Sequence, residues 1–219
     1  MCLLLAIPLG SNAQWVQTGP YGGSVGNLTA SGTNLFVAAG GGGVYRSTNN
    51  GSSWTAVNQG LQSAYVSCVG SISTSIFAGD AYGQLYRSTD NGTSWWHGLS
   101  TWRPTAFVVD GTNLFAGSIN RGIFLTTDNG ASWRESTNGT FGYQVTSFAI
   151  LGGTIFAGSD AAVHRSTNHG ASWAWPGALF PYRVKALTAS GTNLFAGTEG
   201  NGVFLTTNEG VSSWTAVNS

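Results

Sequence analysis

The sequence predicts an all-β fold of about five four-stranded units. Three observations predict it. The pattern Ser/Thr-x-Asp/Asn-x-Gly-x-x-Trp occurs five times, with one extra residue in the last copy. Its glycines fall at Gly51, Gly92, Gly130, Gly170 and Gly210, at spacings of 41, 38, 40 and 40 residues. A period near 40 residues is that of a repeat array whose units cannot bury their apolar faces alone. The second observation is composition: 33 glycines in 219 residues, with polarity supplied by Ser, Thr and Asn, suit short strands joined by tight turns. No run has the spacing of an amphipathic helix. The third is phase, because a phenylalanine-centred apolar segment (Phe36, Phe77, Phe115, Phe156, Phe195) stands at one place in every repeat.

The elements follow in chain order. The first residues, MCLLLAIPLGSNA, form an apolar run ending in small residues, the pattern of a secretory leader cut before Gln14. Residues 1–13 are therefore expected to be a signal peptide and 14–219 the mature domain. This apolar run is too short to span a bilayer. Removing it takes Cys2 away and leaves Cys68 alone, which excludes an intrachain disulfide and a zinc site of paired cysteines.

Each repeat then opens with a short apolar segment (Val66 to Val69, Ala106 to Val109, Ser147 to Leu151, Lys185 to Ala189) that leads through a turn such as Asp110-Gly111 into the phenylalanine strand. After a variable loop comes a third strand (Val44-Tyr45, Leu85-Tyr86, Ile123-Phe124, Val163-His164, Val203-Phe204), which enters the glycine motif, and the tryptophan opens a fourth. Four strands of five or six residues with three tight turns use about 40 residues, the size of one blade of a β-propeller. The counting leaves one tryptophan over. Fourth-strand tryptophans stand at Trp15, Trp54, Trp95, Trp133, Trp173 and Trp214, six against five copies of the other strands, so WVQTG either completes a closing blade or belongs to a larger ring.

The motif copies are Ser47, Asn49, Gly51, Trp54; Ser88, Asp90, Gly92, Trp95; Thr126, Asp128, Gly130, Trp133; Ser166, Asn168, Gly170, Trp173; and Thr206, Asn208, Gly210, Trp214. The hydroxyl and the Asx side chain two residues later accept turn N–H groups, Gly supplies positive φ, and Trp anchors the turn on the next layer. Asn replaces Asp at three of the five copies, which a turn tolerates and a catalytic carboxylate does not. These twenty residues are expected to be structural.

The motif resembles the Asp-box, or BNR repeat, of sialidases, sortilin-type receptors and photosystem II assembly-factor propellers. The resemblance covers residues 15 to 214 and implies a propeller with the box in the hairpin between third and fourth strands of each blade. Members of that family do unrelated things on one architecture, so it implies no single activity. Sialidases similar to it require an arginine triad and a tyrosine nucleophile with an acid partner. Here Arg46, Arg87 and Arg165 share one repeat position, which marks them as scaffold. Trp102-Arg103-Pro104 only faintly resembles the sialidase Phe/Tyr-Arg-Ile-Pro motif, and it follows two boxes where it should precede them.

Function is expected in the loops that differ between repeats. The connections from fourth to first strands carry Tyr65, Trp102, Arg103, Tyr143, Tyr182 and Arg183, the candidate binding residues for a glycan or protein. Of eight acids, Asp80, Asp160 and Glu199, with Glu135, are free of boxes and turns, which keeps a glycoside hydrolase as the alternative; a purely structural module of a surface protein is the third reading. A net charge of +0 and 7% charged residues, against about 25% in average chains, exclude the basic surface of a nucleic-acid binder. The histidines have no metal-ligand spacing, the GGGG run at Gly40 to Gly43 lacks the Lys-Ser/Thr of a phosphate loop, and no cofactor is expected. Asn27, Asn50, Asn91 and Asn138 stand in Asn-x-Ser/Thr sequons, three of them as Asn-Gly turns. The expected location is secreted, periplasmic or at the cell surface.

Overall fold

In the computed structural model the described residues are 4–9, 12–17, 19–20, 24–98, 102–137, 144–160, 162–174, 182–207 and 213–218, the first two ranges as backbone only. They fall into two compact units, Met1–Pro104 and Thr105–Ser219. All described regular structure is β.

In the first unit β1 (Leu4–Leu9) and β2 (Asn12–Gln17) form an antiparallel pair with Leu4 opposite Gln17. The first repeat folds as β3 (Ser24–Ser31), β4 (Asn34–Gly40), β5 (Gly43–Ser47) and β6 (Thr55–Ala56), each strand paired with the next. The second follows as β7 (Val66–Ile72), β8 (Ser75–Asp80), β9 (Leu85–Ser88) and β10 (Trp96–Gly98). The second unit carries the third repeat in β11 (Pro104–Asp110), β12 (Asn113–Ser118), β13 (Ile123–Thr126) and β14 (Arg134–Glu135). The fourth repeat is β15 (Val145–Leu151), β16 (Thr154–Ser159) and β17 (Val163–Ser166), with a single bridge from Arg165 to Ala174 where the fourth strand stands elsewhere. The fifth is β18 (Val184–Ser190), β19 (Asn193–Thr198), β20 (Val203–Thr206) and β21 (Thr215–Ala216). Every sheet is an antiparallel meander in sequence order, as consecutive strands with tight turns dictate.

The second strand is the core in the first four repeats, while in the fifth Phe195 is only half-buried. Strands β8 and β16 are buried at every residue, and Phe36, Phe77, Phe115 and Phe156 are all 0% exposed. Burial of each such ring contributes about 2 kcal/mol or more. The cover comes from the following repeat. In the first unit Phe36, Val44 and Val57 join Val69, Ile76 and Trp95 in one cluster; in the second, Phe115 and Ile123 join Val145, Ile155 and Trp173.

Polar ties hold the same interface. Asn27 donates its amide to the Val69 carbonyl at 2.8 Å and accepts from the Val69 N–H at 2.7 Å, and the Thr29 and Ser71 hydroxyls meet at 2.9 Å. Asn27 is thus a strand-to-strand clamp, which accounts for its sequon without glycosylation. Arg46 donates to the Asn91 carbonyl in the next turn at 2.9 Å, and Arg87, within its own sheet, to the Ser75 hydroxyl at 3.2 Å, the scaffold work their shared repeat position implies.

Two kinds of glycine permit this closeness. At Gly170, φ is +76° and an added Cβ would stand 2.3 Å from the Phe115 ring; Gly92, at φ +79°, lies over Phe36 in the same way at 3.0 Å. Gly117 and Gly158 instead make room for Val145 and Val184, whose side chains would meet an added Cβ at 2.7 and 2.6 Å. The fifth sheet differs: Gly197, at the equivalent place, has its nearest neighbour at 3.9 Å, and Val203 and Val217 are 40% and 45% exposed.

Gly170→Ala should cost about 3 kcal/mol, strain at positive φ adding to overlap with Phe115. Gly111→Ala, at φ +61° with nothing within 4 Å, should cost about 1 kcal/mol. Urea denaturation compares the two, and equal losses would contradict this packing.

Candidate functional site

The repeated turn is the first place to look for chemistry, and its hydroxyl and Asx side chains are engaged in hydrogen bonds. In the four described copies the Ser47, Ser88, Thr126 and Ser166 hydroxyls donate to the Asx Oδ1 two residues on at 2.9, 2.7, 2.7 and 3.0 Å. The same oxygens accept the N–H of Gly51, Gly92, Gly130 and Gly170 at 2.8 to 2.9 Å. Oδ1 in turn accepts the N–H of Ser53, Ser94, Ser132 and Ser172.

The interchange of Asp and Asn then has a direct account. Asp90 and Asp128 accept with Oδ2 from the Ser94 and Ser132 hydroxyls at 2.5 and 2.6 Å. Asn49 and Asn168 donate with Nδ2 to the Ser53 and Ser172 hydroxyls, both at 2.8 Å. A serine hydroxyl satisfies either one by turning round. The serine hydrogen bonds hold the Asp90 and Asp128 carboxyls down at about 2. Trp95 closes its turn by donating to the Val57 carbonyl at 2.6 Å, and Trp173 donates to the Ser136 hydroxyl at 3.3 Å. In the fifth copy Thr206 is buried, while Asn208 and Gly210 lie outside the described residues.

The acids outside the turns are also occupied. Arg183 stands between Asp160, at 2.7 Å, and Glu199, at 3.4 Å, and donates to Gln144 at 2.7 Å. Lys185 reaches Glu199 at 3.3 Å, and its hydrogen bond, more than the arginine's charge, lowers the Glu199 pKa. Glu135 pairs with Arg121, whose guanidinium lies over the Phe124 ring. A general acid needs its carboxyl raised; Glu199 is shifted the other way. His169 contacts Asp110 at 2.6 Å, and burial pushes the His164 imidazole down to about 4 and the Cys68 thiol up to about 12. Among the described residues no group of three His, Cys, Asp or Glu could hold a metal ion.

A concave site lies in the first unit. A cavity of about 400 Å³ is lined by Gln62, Ser63, Ala64 and Tyr65 from the connection between β6 and β7, by Asp80, Tyr82 and Gln84 from the β8–β9 turn, and by Tyr86. Tyr65 and Tyr82, 56% and 70% exposed, meet edge to face with centroids 6.2 Å apart. Asp80 and Tyr86 are 1% and 0% exposed. Asp80 Oδ1 accepts the N–H of Tyr82 and of Gln84, each at 2.9 Å, and Oδ2 accepts the Tyr86 hydroxyl at 3.1 Å. Burial, then the Asp80 charge, raises the Tyr86 pKa.

The backbone fixes this wall. The Ala64 carbonyl accepts from Gly41 and Gly43 at 3.0 and 2.8 Å, and the Tyr65 carbonyl accepts from Ala81 at 2.9 Å. The GGGG run thus supplies amides to the neighbouring repeat's loop. A volume of this size and a wall tied on both sides are properties of a preformed ligand site.

The candidate binding residues are placed differently from one another. Tyr65 is at the cavity rim. Trp102 is buried, 6% exposed, and Arg103 is half-buried, its Cα 4.0 Å from where a Cβ on Gly83 would stand. Tyr182 stacks on Phe204 at 5.3 Å and packs on the core of the second unit, and Arg183 is the centre of the ion-pair cluster. Tyr143 lies outside the described residues. Tyr82, Gln62 and Gln84 were not singled out in the sequence. The signal for them was the acid at Asp80, where other repeats carry Ser118, Ser159 and Thr198.

No protein family and no curated protein matches the chain. Among solved structures it is similar to an ancestral GH74 enzyme, with 23% identity and a TM-score of 0.73 over 90% of this chain and 31% of that one. It is also similar to the extracellular domain of a putative one-component system from B. thetaiotaomicron (16%, TM-score 0.70, 88% and 28% covered). A third similarity is to YCF48 bound to D1 peptide (13%, TM-score 0.65, 88% and 66% covered). The fold is a β-propeller. At these identities the likeness establishes architecture, and the chain spans about a third of the GH74 enzyme's length. Among the described residues no helix of this propeller is long and apolar enough to cross a membrane.

The turn carboxyls give a test. Their folded values lie below the ordinary carboxylate range, so the stabilisation they supply is complete above pH 4 and disappears as pH falls toward about 2. Carbon-detected NMR titration should place Asp90 and Asp128 at the low end of the carboxyls. Asp90→Asn should leave stability at pH 7 within about 0.5 kcal/mol of wild type.

Proposed function

We propose that this propeller is a secreted or cell-surface recognition module that binds a glycan, without cleaving it, at the Tyr65–Tyr82 cavity. The observation that carries the reading is that cavity: two exposed tyrosines stand over a floor of buried, hydrogen-bonded Asp80 and Tyr86, with Gln62 and Gln84 on the walls. Aromatic faces take the C–H faces of a sugar ring, and carboxylate and amide groups take its hydroxyls.

The repeated turns fit the Asp-box of BNR repeats: hydroxyl, Asx and glycine meet in one closed set of hydrogen bonds in all four described copies. Residues 1–13 are proposed as the leader that exports a domain spanning 14–219, completed as a propeller of about five blades. Non-catalytic binding is supported by the state of the acids. Asp160 and Glu199 share Arg183, and Asp80 caps a turn, so no two of them form an acid and a nucleophile flanking an open site.

On a glycan array, wild-type protein should retain specific oligosaccharides, and Tyr65→Ala and Tyr82→Ala should each weaken them about tenfold with unchanged melting temperature. Incubation with the bound glycan should release no reducing ends. Sugar release would establish the hydrolase reading instead, and binding indifferent to both substitutions would remove the cavity from the account.

A further inference from the structure

We infer that the cavity is selective for neutral sugars and rejects those bearing carboxylates; the inference rests on the glycan reading above. It starts from a comparison of one repeat position. The residue three after the core phenylalanine caps the turn between second and third strands. Ser118 accepts the Arg121 N–H at 2.9 Å, Ser159 accepts the Ala162 N–H at 3.1 Å, and Thr198 donates to the Gly202 carbonyl at 2.8 Å. A hydroxyl suffices for the turn in three repeats. In the second repeat the position holds Asp80, a charge in a residue only 1% exposed. Burying a charge is costly even with two turn amides and the Tyr86 hydroxyl to meet it.

The charge faces the cavity, since Asp80 is one of the eight residues that line it. None of the other seven carries a positive charge. The contrast with the second unit is direct: there Asp160 and Glu199 are neutralised by Arg183 and Lys185. Asp80 instead has three donors, two amides and the Tyr86 hydroxyl, and a carboxylate offers about four acceptor positions. All three donors are neutral groups, so the carboxylate's charge is not cancelled in the cavity it lines. A uronate or sialate carboxylate in the same space brings a second negative charge against a lining that holds no cation, and the negative faces of Tyr65 and Tyr82 add to the repulsion. Selectivity here is repulsive as well as attractive.

The test pairs neutral oligoglucosides with oligoglucuronates of the same linkage and length, titrated calorimetrically against the whole chain. The neutral members should bind at least about tenfold more tightly, the scale of one uncompensated like-charge contact. Asp80→Asn, which keeps an acceptor for the two turn amides, should narrow the difference to about threefold, with its melting temperature recorded to confirm the fold. Tyr82→Ala, a substitution at a largely exposed side chain, should weaken neutral binding and leave the preference. Uronates binding as tightly as neutral glycans, with both lost in Tyr82→Ala, would overturn the selectivity and leave the glycan site standing. No binding of any glycan, or binding unchanged in Tyr82→Ala, would overturn the site and this inference with it.

Discussion

Each sheet of this chain has apolar side chains on both faces, and the structure depends on one contact that satisfies the second face: a core phenylalanine beneath the turn glycine of the next repeat. Phe36 under Gly92 and Phe115 under Gly170 are two instances. The contact needs a backbone at positive φ with no Cβ, and hence a turn that holds that conformation. The hydroxyl and Asx side chains hold it, and the tryptophan closes the layer. Ser88, Asp90, Gly92 and Trp95 are therefore one device serving the packing of Phe36.

That device absorbs much of the chain's polarity. Once the turn residues, the strand clamps of Asn27 and Thr29, and the position-specific arginines are assigned to scaffold, few polar groups remain to act on anything else. The remaining groups stand in loops where repeats differ. In the first unit those differences make a cavity: repeat one contributes Gly41 and Gly43, the connection contributes Ala64 and Tyr65, and repeat two contributes an acid where the last three repeats have a hydroxyl. In the second unit comparable positions hold an ion-pair cluster around Arg183.

Periodicity carried the legible part. The strand pattern, the core phenylalanine and the turn motif recur five times in the sequence, so local signals reinforce one another and the reading of Ser47 to Trp54 transfers to Ser166 to Trp173. The cavity does not recur. Its walls depend on a hydrogen bond from Gly41 to Ala64 across a connection whose path has no periodic signal, and the sequence offered the GGGG run only as a phosphate loop to be excluded. Exposure was equally hidden: Tyr65 and Trp102 look alike as loop aromatics, yet one is 56% exposed and the other 6%. Asp80 was visible as a free acid. Its three donors, which turn a candidate catalyst into the floor of a binding site, belong to the folded turn alone.

The central claim is that the repeated residues build the fold and the non-repeating ones around Tyr65 and Tyr82 do the binding. Amide chemical-shift mapping of the whole chain during titration with a neutral oligosaccharide tests it most directly. The account predicts shifts concentrated at residues 62–65 and 82–84, with the turn amides of Gly51, Gly92, Gly130 and Gly170 unmoved. Shifts centred on those glycines, with the tyrosine loops silent, would contradict it.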